Sequence, residues 1–387
     1  MRTVDQHSIL FVFGTRPESI KLMPVIRSFR ADDAFQTYIC ATGQHRELVD
    51  GFLESFDLRP DFDLNVMTPG QSLTATTAKI ITACEEVLDR LRPALVVVQG
   101  DTTSALAGAI AASQRGVSVA HVEAGLRSHR KSSPFPEELN RTLIGHIAEL
   151  HFAPGEQAAA NLRGEGITRG VHVVGNTVVD ALKVALDALA KNGKVANAGK
   201  KKLVATLHRR ESFGTPLRNV CAALRRITAA YDDVEIFCPV HLNPEAQRTI
   251  CEILEGGRNI HLLAPLSYLE FIELLSDATL VISDSGGVLE EAETLGLPVL
   301  VAREVTERVE ALSGGRAVLV GTDADTIFAE AASRLDAPAA SFDTVRPLRR
   351  TFGDGQAAAR ILRIVRRHLA VGADPHLSTH TLLASVA

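Results

Sequence analysis

Apolar runs that do not alternate recur along this chain, each closed by a polar turn and followed by a helical pattern. Ile9–Phe13, Ala94–Val98, Val117–Ala120 and Val171–Val174 do so in the first half. Leu203–Leu207, Val234–Phe237, Ile260–Leu263, Leu280–Ile282, Val299–Val301 and Val318–Val320 do so in the second. A strand that is apolar on both sides must be covered on both sides, so the runs predict parallel β-sheet wound by βα crossovers. At 387 residues the chain is longer than one hydrophobic core usually serves. The expected fold class is therefore α/β, with two Rossmann-like, doubly wound domains over residues 1–180 and 181–354. The polar, Gly- and Lys-rich stretch 191–202 reads as a surface connection near their boundary, and residues 371–387 read as a weakly patterned tail.

Ligands of open parallel sheets bind beyond the carboxyl ends of the strands, and the unusual residues of this chain fall there. Val281–Ser283 runs into Asp284-Ser285-Gly286-Gly287 and then a helix expected over Val288–Leu295. Backbone N–H groups and a positive helix end converge at that turn, which suits an anion such as a nucleotide diphosphate. Glu290 and Glu291 offer acceptors suited to sugar hydroxyls, although Ser or Asp before a helix is also a routine cap. Other strands end in Gly14-Thr15-Arg16-Pro17-Glu18, with Lys21 one turn on, in Gln99-Gly100-Asp101-Thr102, and in His121-Val122-Glu123-Ala124-Gly125. Asp101 reads equally as an N-cap. Glu123 is harder to assign to a cap, because a carboxylate ending a buried strand is costly unless paired or used.

Glu137 and Glu138 open an amphipathic helix whose apolar face is expected to be Leu139, Leu143, Ile144 and Ile147, and both complement its dipole. Arg209 and Arg303 read as solvated surface charges. Arg16, Lys21, His208 and Arg308 gain meaning together, as a set able to neutralise a diphosphate facing Ser285–Gly287. Several acids gathered in one site would raise at least one pKa.

Other chemistries find no support. The chain has no G-x-G-x-x-G after a strand and no G-x-x-x-x-G-K-[ST] loop. It has no H-E-x-x-H and no Cys/His cluster, so neither a nicotinamide cofactor nor a catalytic metal is expected. A net charge of −5 without a basic, aromatic-interleaved block argues against a nucleic-acid groove. Five cysteines without C-x-x-C spacing read as buried thiols of a reducing compartment, and no apolar run approaches a membrane span. A cytoplasmic protein is expected.

These blocks, together with Thr42-Gly43-Gln44-His45, Pro134-Phe135-Pro136-Glu137-Glu138, Gly175-Asn176-Thr177, His208-Arg209-Arg210-Glu211, Thr306-Glu307-Arg308 and Gly353-Asp354-Gly355, occur in order from about Ile9 to Leu362. In this the chain resembles the non-hydrolysing UDP-N-acetylglucosamine 2-epimerase family. The resemblance implies a glycosyltransferase-B-like architecture whose final helix, about 355–370, returns to the first domain. It also implies a cytosolic homodimer that interconverts UDP-GlcNAc and UDP-ManNAc through a 2-acetamidoglucal, without cofactor. By motif position Asp101, Glu123, Glu137 and His208 resemble the family's catalytic groups. Arg16, Lys21, Phe271, Ser285, Gly286, Glu291 and Arg308 resemble its nucleotide-sugar contacts. A glycosyltransferase of the same architecture, a hydrolysing epimerase that releases ManNAc and UDP, and a binding-only sensor are the competing readings.

Overall fold

The computed structural model describes residues 6–43, 51–68, 70–132, 134–191, 200–207, 213–241, 243–306, 308–313, 315–337 and 348–372. The chain divides into two compact units: one runs from the N terminus to Asp180 and resumes at Gly355, and the other spans Ala181–Asp354.

The first unit is built on β1 (His7–Phe13), β2 (Phe35–Ala41), β3 (Phe62–Asp63), β4 (Leu95–Gln99), β5 (Ser118–Val122), β6 (Leu150–Ala153) and β7 (Val171–Val173). Its helices are α1 (Arg16–Arg30), α2 (Leu73–Leu91), α3 (Thr103–Gln114), α4 (Glu137–Ile147), α5 (Glu156–Gly164) and the start of α6 (Thr177–Lys191). The strands lie in the order β3-β2-β1-β4-β5-β6-β7, and every pairing is parallel. Strands β1 and β4 show why both faces must be apolar. Leu10, Val12, Val96 and Val98 join the core under α2 and α3, while Phe11 of β1 meets Phe29 of α1 edge-on at 5.6 Å.

The second unit carries β8 (Lys201–Thr206), β9 (Val234–Pro239), β10 (Ile260–Leu263), β11 (Leu280–Ser283), β12 (Val299–Val301) and β13 (Ala317–Leu319). Between and after them run α7 (Thr215–Ala230), α8 (Pro244–Leu254), α9 (Tyr268–Ser276), α10 (Gly286–Thr294), α11 (Val309–Ser313) and α12 (Ala324–Leu335). The order β10-β9-β8-β11-β12-β13 repeats the winding of the first sheet, again all parallel. In each sheet the winding direction reverses once, between β1 and β4 and between β8 and β11, and such reversals open a crevice at the strand ends. Both units are thus doubly wound α/β.

The last helix, α13 (Ala357–Gly372), belongs to the first unit and packs on α1. Its first turn is capped from another helix: the Asp180 carboxylate accepts the N–H groups of Ala357 and Ala358 at 3.2 and 3.0 Å. Arg360 donates to the Val174 carbonyl (2.9 Å) and Arg366 pairs with Asp32 (2.7 Å).

Several elements depart from the sequence reading. Strands β2, β3 and β6 form where no apolar run signalled them, because Gln36, Thr37 and His151 interrupt the pattern. Lys201 and Lys202, read as part of a connection, open β8; residues 192–199 of that connection lie outside the described residues. Helix α13 continues to Gly372, and 373–387 also lie outside. Among the described residues no helix is long and apolar enough to cross a membrane.

Candidate active site

Strand ends of the first unit bring four charged side chains together. Lys21, on the second turn of α1, lies against the Glu123 carboxylate just beyond β5. Arg141 of α4 bridges Glu123 and Asp101: its Nη2 pairs with Asp101 Oδ2 and lies 3.2 Å from Glu123 Oε1, while Nη1 donates to the Glu123 carbonyl at 2.5 Å. Two cations and two carboxylates therefore alternate in one network. Glu123 is 5% exposed, whereas the Asp101 side chain keeps 27% exposure. Pairing explains how Glu123 is tolerated inside, and partial exposure leaves Asp101 able to meet a ligand.

Local backbone sets this geometry. Glu123 adopts φ 64°, a left-handed conformation rare for a residue with a side chain and a recurrent mark of functional sites. Two residues on, Gly125 has φ 87°, and a Cβ there would lie 2.1 Å from the Ala158 carbonyl oxygen, so α5 can pack on this turn only against glycine. Arg127, closing the same segment, is clamped bidentately by Glu165 at 2.7 Å for both bonds, which lowers the Glu165 pKa.

The β4–α3 turn differs from the reading of Asp101 as a cap. Thr102 caps α3, accepting from the Ala105 N–H at 3.0 Å, and Asp101 is left for Arg141. Its carbonyl accepts from Asn140 Nδ2 (2.9 Å), and the preceding Gly100 carbonyl from His121 Nε2 (2.7 Å). Burial, then the Arg141 charge, lowers the His121 pKa to about 3, so this ring is neutral. The carboxyl shifted upward at this end of the sheet is Glu18, raised to about 7, and burial rather than a neighbouring acid is the cause.

Helix α4 bears out half of its expected apolar face, with Ile144 buried and Ile147 packed on the core, and reverses the other half. Its inward face is Glu138, Asn140, Arg141, Ile144 and Gly145, whereas Leu139 and Leu143 are 39% and 41% exposed beside Phe135 at 65%. The helix spends its buried side on polar anchors, and the leucines fall opposite. Glu138 does more than complement the dipole, because it accepts the N–H groups of Ser128 and His129 at 2.8 and 2.9 Å and so ties down the basic 128–132 segment. Glu137 is half-buried on the first turn. Arg16 is half-buried at the start of α1.

In the second unit, β11 ends in a turn ordered by hydroxyls. Thr206 and Ser283 share a hydrogen bond of 2.6 Å, Ser283 Oγ accepts from the Ser285 N–H at 2.9 Å, and Ser285 caps α10. The helix begins at Gly286, two residues earlier than the sequence suggested. A Cβ on Gly287 would meet no protein atom within 4 Å, so this glycine is not required by packing. Glu291 is 6% exposed on the same helix.

Glu290, an expected acceptor for sugar, is 1% exposed and instead takes the Arg308 Nε–H at 3.0 Å. The Glu290 side chain, inside α10, is thus committed to holding Arg308, itself 8% exposed. Arg303 is also buried, at 8%, and not the solvated charge expected. Phe271 is half-buried on α9. His208 and Arg209 lie outside the described residues.

Arg141, which joins two carboxylates, is a functional residue that no motif in the sequence singles out. The sequence carried no signal for it: with Leu139 and Leu143 expected inside, Arg141 on the opposite side of α4 reads as a solvated charge, and its burial shows only in the fold.

A family model described as UDP-N-acetylglucosamine 2-epimerase matches residues 27–366. UDP-N-acetylglucosamine 2-epimerase of Salmonella typhimurium is 44% identical over 371 residues, which span 93% of this chain and 98% of that protein. Among solved structures, UDP-GlcNAc 2-epimerase from Neisseria meningitidis bound to UDP-GlcNAc superposes with a TM-score of 0.87 at 38% identity, covering 93% of this chain and 100% of that one. The Methanocaldococcus jannaschii UDP-GlcNAc 2-epimerase, in complex with UDP-GlcNAc and UDP, gives 0.81 at 35% identity, covering 93% and 99%.

Proposed function

The chain belongs to the UDP-N-acetylglucosamine 2-epimerase family, and from that premise we propose that it interconverts UDP-GlcNAc and UDP-ManNAc without releasing free sugar. The observation that carries the reading is the Lys21–Glu123–Arg141–Asp101 network beyond β4 and β5, acid–base equipment that mere nucleotide binding does not need.

The C2 proton of the sugar is not acidic while the anomeric bond is intact. When the C1–O bond breaks, its electron pair leaves with UDP, and the positive character at C1 acidifies C2–H. A carboxylate takes that proton, leaving 2-acetamidoglucal and UDP. Re-addition of UDP at C1, with a proton delivered to the opposite face of C2, gives the epimer. Asp101 and Glu137, both partly accessible, are the proposed proton carriers, and Glu123 is the buried carboxylate whose charge Lys21 and Arg141 balance. In the second unit Ser285, Gly286 and the α10 N-terminus, with Arg308, are the proposed stabilisers of the leaving diphosphate, and in the first unit Arg16 is a proposed nucleotide-sugar contact. Glu291 and Phe271 are assigned to the nucleoside, and His208 to the phosphates. The homodimer of the family has a candidate face in the exposed Phe135, Leu139 and Leu143.

Incubation with UDP-GlcNAc in D2O, followed by NMR, tests the reading. UDP-ManNAc should appear with deuterium at C2. Unchanged proton at C2 with folded protein sinks the proposal, and free ManNAc plus UDP indicates a hydrolysing enzyme instead.

A further inference from the structure

The turn between β4 and α3 is gripped at every residue by a different element. Gly100 donates to the Val122 carbonyl (3.0 Å) and accepts from His121, both of β5. Asp101 is held by Asn140 and Arg141 of α4. Thr102 donates its hydroxyl to Glu18 Oε1 of α1 at 2.7 Å. Glu18 takes no part in the proposed chemistry. Its second oxygen, Oε2, accepts from Gly14 N (3.1 Å), Thr15 N (2.8 Å) and Thr15 Oγ1 (2.7 Å), which closes the β1–α1 turn that leads into Arg16.

A glutamate three residues past a helix cap ordinarily bonds back to the cap backbone, and the motif works at the surface. Glu18 goes further. It is 1% exposed, and its fourth hydrogen bond leaves its own helix for the cap of α3. Strands β1 and β4 are direct neighbours at the reversal of the sheet, so the two turns joined by this carboxylate flank the expected ligand crevice. Keeping a carboxylate in such a place is expensive, and a helix cap alone does not require it.

We propose that Glu18 is a positioning residue that bolts the β1–α1 and β4–α3 turns together and so presents Arg16 and Asp101 in fixed register. The functional half rests on the epimerase reading of Asp101 and Arg16; the mechanical half does not. Glu18 touches no reacting atom, and its effect passes through the backbone of the two turns. A displacement of about 1 Å at a catalytic group can cost on the order of 100-fold in rate.

The test uses the full chain with Thr102→Val, Thr102→Ser and Glu18→Gln. Three readouts are compared: amide hydrogen exchange resolved to residues 12–20 and 98–108, steady-state kcat and KM on UDP-GlcNAc, and the thermal midpoint. T102V should speed exchange in the 12–20 segment, on the other strand, as well as at the mutated turn. It should lower kcat by about 10- to 100-fold with KM within about twofold. T102S, which restores a hydroxyl, should recover both readouts. E18Q should reproduce T102V, and the double variant should add little to either single change.

Unchanged exchange in 12–20 on T102V overturns the bolt. Faster exchange with full kcat overturns its role in positioning, as does loss of activity in T102V that T102S fails to recover. Should the unmutated protein not epimerise UDP-GlcNAc, the proposed function falls, and the exchange comparison still decides whether Glu18 joins the two turns.

Discussion

At the scale of single residues, the site is organised by partners that a string of letters does not display. Glu18 has a folded pKa of about 7 against 4.5 for the free group, and burial is the first cause. For a carboxyl raised in this way, the stabilising contribution is complete below pH 4.5 and is lost as pH rises through 7. The shift corresponds to about 3 kcal/mol. Glu18→Gln should therefore gain thermal midpoint relative to the parent as pH goes from 4.5 to 7.5, read by calorimetry at several pH values; a constant difference would refute it. His121 works with the opposite sign. Its pKa is lowered to about 3, so it stabilises above its unfolded value near 6.5 and ceases to as pH falls toward 3. Each partly masks the other in the parent's pH profile, which is why the variant comparison is needed. Arg141 is the other residue to test. Arg141→Met leaves the Glu123 and Asp101 carboxylates without their shared cation and should cost about 3–5 kcal/mol in denaturant unfolding, with epimerisation abolished. Lysine at that position cannot satisfy both carboxylates and the Glu123 carbonyl, so Arg141→Lys should restore stability only in part.

At the scale of elements, strand ends and helix starts carry the function. Strands β1, β4 and β11 were visible as apolar runs because central parallel strands are buried on both faces. Strands β2 and β6 were not, because sheet pairing rather than composition recruits them: β2 runs alongside β1 over its whole length, and β6 alongside β5. The partial inversion of α4, which keeps Ile144 and Ile147 on the core, has a related cause. Amphipathicity assigns apolar residues to the inside, but here the inside is an ion-pair site, and Leu139 and Leu143 are displaced to solvent. Helix α10 supports a sharper test. Gly287 faces open space, and alanine is favoured over glycine inside a helix by about 1 kcal/mol. Gly287→Ala should thus leave the thermal midpoint unchanged or slightly raised while weakening UDP binding by roughly 10-fold or more, as a methyl group enters the space assigned to the diphosphate. Isothermal titration with UDP measures it, and undiminished affinity would remove the turn from the nucleotide site.

At the scale of the whole molecule, two sheets share one winding order, and the chain finishes on the unit where it began. Asp180 is central to that return, since its carboxylate caps α13 across 177 residues of sequence. Asp180→Ala should cost about 1–2 kcal/mol and raise amide exchange in Ala357–Gly372 before the rest of the first unit responds, as followed by exchange mass spectrometry. Uniform protection across the unit would refute that order of events. By itself the sequence determined the α/β class, the strands at the centre of each sheet, and the turns where chemistry gathers, because burial on both faces and turn geometry are written in local composition. Only the tertiary structure decided what each charge does there. Arg141 belongs to two carboxylates, Glu290 to Arg308, and Glu18 to two turns, because pairing energy depends on distance through space, and residues 18, 102, 123 and 141 meet only after the sheet has brought their strands together.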